Sequence, residues 1–467
     1  ADEAPGLVAA VTLATGVLFV LIALLKMGWI SRFLSKAVIT GFLFGAAVEV
    51  IVGELPKLTG TDATGPNSWR KFADWVGSLD GRDGTTLVVG AVALATILVL
   101  RFVAPRIPGA LVLVVGGLLA SRLLDLADRG VATVGDVPRG VPRPTLPPAD
   151  VVVDNVPTIL VAALAILLIG FSQTAGDARL FAARHAYRID VNNESVAQGV
   201  ANVGAGVLQG MPVSTSLSAS SLNDSSGART QMASVVTGGV VVLTLILFAP
   251  LFSDLPKPVL AAIIIDAVVF GMMDVGELRR LRRVARTDFY IAVAAIIGVL
   301  SSGVLAGVVI GIALSLGWLV HVTMAPATPE LGRRPGTTIY RPLDQHPDGE
   351  TYPGIFVLRF DGGLFFVTTE VLADRLRSHL LEAAVPIEHI VLDCEAVTFI
   401  DSQGASELHR LVTIAAERGI GVQLARVRPS LRPILVAEGV VALLGADHIH
   451  TRVDDAVNAA RAAQRHA

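Results

Sequence analysis

The stretch Gln209-Gly-Met-Pro-Val-Ser-Thr-Ser-Leu-Ser-Ala-Ser-Ser-Leu-Asn-Asp-Ser-Ser226 decides how this chain is read. It crowds hydroxyls, an amide and a carboxylate around a proline, yet long apolar runs flank it on both sides. At membrane depth every unsatisfied polar group costs several kcal/mol, so the segment must face protein or water and not lipid. Pro212 supplies no amide donor and disfavours a helical Met211. An extended piece is therefore expected to give way to a short helix near Ser214–Ser216. A half-helix that starts inside the membrane points free N–H groups and its positive dipole end inward, which suits an anion. Ser214, Thr215, Ser216 and Ser218 are the candidate ligands. The competing reading is that these hydroxyls cap the break or bond to neighbouring helices.

The surrounding composition supports a membrane setting. Of 467 residues 53% are hydrophobic and only 16% charged, against roughly 25% charged in ordinary globular chains. A formal charge of -3 argues against nucleic acid as a partner. The single cysteine, Cys394, excludes an intramolecular disulfide and a CxxC metal site. Apolar stretches suited to a roughly 30 Å hydrocarbon core recur at 7–27, 34–56, 86–104, 109–126, 157–176, 194–211, 213–224, 230–252, 258–274, 288–302 and 303–324, about 11 spans in a membrane region 1–326. The 213–224 piece is too short and polar to cross alone. Lys26, Arg32, Lys36, Arg101, Arg106, Arg179, Arg184, Arg188, Arg229 and the run Arg279 to Arg286 all fall on one face if alternate spans reverse, which makes that face, and the tail, cytoplasmic.

A second polar cluster, Ser172, Gln173, Thr174 and Asp177, ends the fifth span, with Asn192, Asn193, Glu194, Gln198 and Asn202 beyond the turn. Gln173 and Asp177 share a helical face. Gln173 joins the candidate ligands, and Asp177 is expected to pair with Arg179 or Arg184 unless it serves a coupling ion. Glu49 and Asp266 lie in apolar runs with no partner readable in the sequence. Gly45, Gly90, Gly116, Gly117, Gly204, Gly206, Gly238, Gly239, Gly307 and Gly311 are expected at close helix contacts. Trp29, Trp69, Trp75 and Trp318 are expected at membrane interfaces. No histidine has ligand spacing, so neither a metal nor a cofactor is assigned, and no catalytic constellation is present.

After a proline-rich linker, 327–351, the period changes. Runs at 354–360, 389–394 and 421–425 read as strands, and 369–384 and 404–418 as helices, which makes 352–467 a small α/β domain. Asp401-Ser402 is expected to cap the helix that starts at Gln403, with Ser402 as an N-cap.

Taken together these motifs resemble the SulP family of sulfate permeases. The resemblance rests on Gly28-Trp-Ile-Ser-Arg-Phe-Leu-Ser-Lys-Ala-Val-Ile-Thr-Gly41, on Gln209 to Ser218 with Gly227-Ala-Arg-Thr-Gln231, on Leu255-Pro-Lys-Pro-Val-Leu-Ala-Ala262, and on Phe399-Ile-Asp-Ser-Gln-Gly-Ala405, which is similar to the signature turn of the STAS domain. The resemblance implies a polytopic α-helical membrane protein of two inverted seven-helix repeats, with a cytoplasmic STAS domain. Eleven spans and no initiator Met are expected of a chain that starts after the family's third helix, leaving the first repeat incomplete. The implied function is secondary active transport of an inorganic anion, sulfate or bicarbonate, by a core domain moving against a gate domain in the plasma membrane. The coupling ion would be Na+ or H+, and the assembly a homodimer. Many relatives carry Arg at the position of Ala219 and Glu at that of Gln173. Without both charges, attraction would rest on the dipole and hydroxyls, and a dicarboxylate becomes an alternative substrate. In soluble relatives a Ser or Thr in the signature turn accepts a phosphate, so Ser402 is the regulatory candidate, and a membrane-anchored module that binds a cytoplasmic regulatory protein is the competing function.

Overall fold

The structure, a computed structural model, describes residues 4–27, 35–137, 140, 142–383 and 385–466, with residues 172, 217, 218 and 466 as backbone alone. The chain divides into two compact units, Ala1–Leu316 and Gly317–Ala467. In the first, helices run in the order α1 (Ala4–Leu24), α2 (Lys36–Thr59), α3 (Ser68–Ser78), α4 (Gly84–Val103), α5 (Gly109–Leu123), α6 (Ala149–Asp154), α7 (Val156–His185), α8 (Val191–Val207), α9 (Leu217–Ser225), α10 (Met232–Leu247), α11 (Lys257–Met272), α12 (Val275–Val284) and α13 (Arg286–Ser302), followed by α14 (Val304–Met324), which leads into the second unit. A helix lies on each of the eleven expected spans, and α3, α6 and α12 fill the loops between them. Among the described residues six helical stretches are long and apolar enough to cross a bilayer. The nine residues of α9 rise only about 14 Å, so it is a half-helix. Residues 28–34, which carry most of the basic hinge together with Trp29 and Arg32, lie outside the described residues.

Polar loop residues set where helices begin. Asn67, Asp83, Asp190 and Asp274 accept from first-turn amides of α3, α4, α8 and α12, and Ser35 does so for α2. Such caps contribute roughly 1 kcal/mol each.

Extensive packing within the first unit falls into two groups. In one, α1 lies against α8 and α7, with α6 beside them; in the other, α2 lies against α13, α11 and α4, with α3, α5 and α12 at its edges. Both are built on close backbone approach. A Cβ on Gly16 would stand 2.7 Å from Val203 N, and one on Gly206 2.6 Å from Leu13 Cγ. In the second group Gly45, Gly90, Gly117, Gly307 and Gly311 meet Val299, Leu58, Val259, Val299 and Val38 in the same way. A Cβ on Gly116, Gly204, Gly238 or Gly239 would meet nothing within 4 Å among the described residues, so the expectation of tight contact fails at these four.

In the second unit β1 (Leu331–Arg333) and β2 (Tyr340–Pro342) form an antiparallel hairpin inside the stretch read as linker. Then follow β3 (Ile355–Arg359), α15 (Thr369–Glu382), β4 (His389–Asp393), α16 (Ser402–Glu417), β5 (Gly421–Ala425), α17 (Arg432–Ala437), α18 (Val440–Leu444), β6 (Ile449–His450) and α19 (Val453–His466). β3 to β6 make one parallel sheet in chain order. Alternation along each strand separates two cores: Phe356, Leu358, Ile390, Leu392 and Leu424 pack with α15 and α16, while Ile355, Val357 and Val391 pack under Val453, Val457 and Ala460 of α19. The cap of α16 is Asp401, which accepts from Gly404 N at 2.7 Å, and the helix starts at Ser402. This corrects the expectation for Ser402, whose side chain is exposed at the first helical position.

Gly16→Val should force α1 and α8 apart and destabilise by about 1–3 kcal/mol, seen as a lower melting temperature, while Gly204→Ala should not lower it, since Ala has the better helix propensity and its Cβ meets open space. Burial, helped by the neighbouring Asp393, pushes the Cys394 thiol up to about 12. Maleimide should therefore leave native protein unlabelled at neutral pH and label one site per chain once the sheet is unfolded by denaturant.

Candidate functional site

Between α8 and α9 the chain leaves the helix and runs extended to Ser216, as Pro212 requires. The exposed polar groups of this segment are met by side chains. Asn202 on α8, fully buried, pairs with Val213 as a neighbouring strand would: its Oδ1 accepts from Val213 N and its Nδ2 donates to Val213 O, both at 2.9 Å. Gln198, one helical turn earlier, also donates to Val213 O. Thr12 of α1 donates to Gly210 O at 3.1 Å. The helix pair α1–α8 thus holds the break from one side.

From the other side α7 supplies Gly170, Gln173, Thr174 and Asp177. Ser214 Oγ donates to Gln173 Oε1 at 3.4 Å. Gly170 leaves the room for it, since a Cβ there would stand 3.3 Å from Ser214 Oγ. Ser216 is the N-cap of α9, its Oγ accepting from Ala219 N at 3.3 Å. Thr215 and Thr174 each have a buried hydroxyl oxygen with no hydrogen-bond partner among the described residues. Both line an open cavity of about 780 Å3 together with Asp177, Glu194, Ser220, Asn223, Asp224 and Arg229. At the far end of α9, Asp224 accepts from Arg184 at 2.9 Å and meets His185 Nε2 at 2.8 Å, tying α9 to the last turn of α7.

Of the five candidate ligands, then, Thr215 lines the cavity, Ser214 and Gln173 bond to each other beside it, Ser216 caps the half-helix, and Ser218 is described by its backbone alone. The cavity face of α9 itself, Ser220, Asn223 and Asp224, was not singled out, although spacings of three and four along a short helix mark one polar face. Asp177 is not paired with Arg184, which Asp224 takes. Asp266 of α11 does have a partner, Arg101 of α4, bound bidentately at 2.7 and 2.5 Å. Glu49 keeps one carboxylate oxygen buried and without a hydrogen-bond partner among the described residues. Hydroxyls, backbone N–H groups at a helix start and a flanking amide can bind and orient a small anion, and nothing in the set forms a nucleophile–base pair.

Comparison with known proteins gives the chain a context. The sequence profile of the sulfate permease family matches residues 1–295, and that of the STAS domain residues 346–456. A probable sulfate transporter of Mycobacterium tuberculosis is 31% identical over 455 residues, covering 97% of this chain and 81% of its own length. A chloroplastic sulfate transporter of Arabidopsis thaliana is 28% identical, covering 95% of this chain and 67% of its own. Among solved structures, the murine solute carrier 26 family member A9 anion transporter in its inward-facing state superposes with a TM-score of 0.89 at 21% identity, covering 99% of this chain and 76% of that one. The transmembrane domain of the cyanobacterial bicarbonate transporter BicA gives 0.57 at 20% identity over 68% and 77%. These likenesses establish the fold.

Removing Asn202 would leave Val213 N–H without its acceptor, at a cost of about 1–3 kcal/mol, while Val213 O keeps Gln198. Asn202→Leu should therefore lower the melting temperature by more than Asn193→Ala, an exposed change on the same helix, and a melting curve of each variant in detergent checks this.

Proposed function

The chain belongs to the sulfate permease family, and on that premise we propose that it carries a small inorganic anion, sulfate or bicarbonate, across the plasma membrane as a secondary active transporter. The observation that carries the proposal is the break at 210–216: an extended segment, locked to α8 by Asn202, ends in a half-helix whose N-terminus sits beside a polar cavity. Its relatives are named as sulfate transporters, and its structural neighbours as an anion and a bicarbonate transporter. In this reading Thr215, Ser214, Ser218 and Gln173 contact the anion, the first-turn amides of α9 donate to it, and Ser216 places those amides. The α1–α7–α8 group moves as the core domain against the α2–α4–α11–α13 group as the gate. A coupling ion, Na+ or H+, would find carboxylates in the same cavity at Asp177 and Glu194. A homodimer with cytoplasmic STAS domains, and a regulatory protein that binds at exposed Ser402, complete the proposal.

The two threonine and serine roles separate experimentally. Thr215→Val removes a hydroxyl oxygen that accepts no hydrogen bond among the described residues, so stability should change little while KM for anion uptake into proteoliposomes rises a few-fold, the worth of one neutral hydrogen bond at about 0.5–1.5 kcal/mol. Ser216→Ala removes a cap and should cost about 1 kcal/mol of stability as well. Absence of saturable, protein-dependent uptake of both labelled sulfate and labelled bicarbonate would end the proposal.

A further inference from the structure

A second site lies in the other unit. The β1–β2 hairpin and the turn after it enclose a cavity of about 190 Å3 lined by Gly332, Arg334, Arg341, His346, Asp348 and Gly349. That is smaller than the roughly 300 Å3 at which pockets for drug-sized molecules begin, and it suits a single phosphate-sized group. The two glycines pack against each other: a Cβ on Gly332 would stand 2.4 Å from Leu343 Cδ2 and 3.1 Å from the Gly349 backbone. Neighbouring Arg333 is spent on structure, since Glu350 takes its guanidinium at 2.5 Å and exchanges two main-chain bonds with it. Among the described residues no ion pair engages Arg334, Arg341, His346 or Asp348, although all four line the one cavity.

Two arginines without carboxylate partners among the described residues, lining one small cavity, are suited to a tetrahedral oxyanion. Asp348 narrows the choice. A carboxylate repels sulfate, which carries no proton at neutral pH, but accepts a hydrogen bond from the P–OH of hydrogenphosphate or of a monoanionic phosphomonoester. We propose that this hairpin cavity is a binding site for a proton-bearing phosphate group, with Arg334 and Arg341 holding its oxygens and Asp348 its hydroxyl. Bound phosphate would join β1, β2 and the 344–349 turn, stiffening the connection between α14 and the β3–β6 sheet. The phosphate has two sources. It is free in solution, or it belongs to a lipid headgroup, since the chain from Met324 at the end of α14 to Leu331 reaches at most about 25 Å.

Phenylglyoxal modification of the purified protein in phosphatidylcholine nanodiscs, read by peptide mass spectrometry at constant ionic strength, tests this. Inorganic phosphate at pH 7 should slow modification of Arg334 and Arg341 at least fivefold while leaving exposed Arg418 unprotected. Sulfate should need about ten times the concentration, the order of one charge-assisted hydrogen bond. Asp348→Asn should bring the two anions within about twofold of each other, and Arg334→Gln should abolish protection of Arg341. Protection in phosphatidate nanodiscs without added phosphate assigns the group to lipid; protection by the free ion alone assigns it to solution. No protection from either source, parallel protection of Arg418, or sulfate equal to phosphate in the unsubstituted protein overturns the proposal.

Discussion

Main-chain polarity at membrane depth is the constraint on which this structure turns. A chain that leaves the helix inside a bilayer exposes N–H and C=O groups that lipid cannot satisfy, so the break is tolerated only where protein or water meets them. Asn202 supplies the most specific answer. An asparagine side chain carries a donor and an acceptor side by side, the same pair a neighbouring strand would present, and at Val213 it engages both. Because Asn202 is anchored on α8, and α8 is packed through Gly16, Gly199 and Gly206 onto α1, the start of α9 inherits the position of that helix pair. The cavity beside α9 exists where it does for this reason.

Charge is handled differently in the two helix groups. In the α2 group the Arg101–Asp266 pair joins α4 to α11, and the Arg101 guanidinium also lies 4.3 Å from the Phe270 ring centroid. Such a pair repays its desolvation only partly, so its clearest effect is on register: it permits one alignment of the two helices and penalises slips that would leave either charge alone. At the start of α2, Lys36 reaches Glu277 of α12 across the helix contact, and Glu277 also accepts from Arg280 within α12. In the α1 group the polar contacts beside the break are neutral hydrogen bonds, which exchange partners at lower cost.

Much of this was legible in the residues. Hydropathy located ten of the eleven expected spans, Pro212 located the break before the polar half-helix α9, and β5 was bounded to the residue, because each depends on local composition or on a single backbone rule. What escaped depends on distance or on phase. Asp266 and Arg101 are 165 residues apart, with no local sign that they meet. Asn202 was visible as one of several amides, but a partner that is the main chain of Val213 leaves no mark in side-chain identity. Gly204 and Gly206 look alike in sequence, yet two residues of helix turn them about 200° apart, so only Gly206 faces α1. Asp401 and Ser402 are both good caps, and one residue of phase decides between them.

The electrostatics of the proposed site follow from the same partnerships. Arg184 and His185 line up at the far end of α9, where Asp224 engages both and compensates the charge of Arg184. Ala219 and Gln173 add none. Beside the half-unit of positive charge at a helix N-terminus, about +0.5 by dipole arithmetic, the cavity wall carries Arg229 with Asp177 and Glu194, and hydroxyls orient the ligand. A divalent oxyanion held by these alone stays under-compensated, which keeps binding weak and release fast. A carrier gains from this, since each cycle must discharge what it loads, and interactions that hold the anion equally well throughout the cycle would slow turnover as much as they improve capture. In the proposed carrier the neutral residues Ala219 and Gln173 would set the balance toward release, and selectivity would fall to the geometry of the hydroxyls around the break.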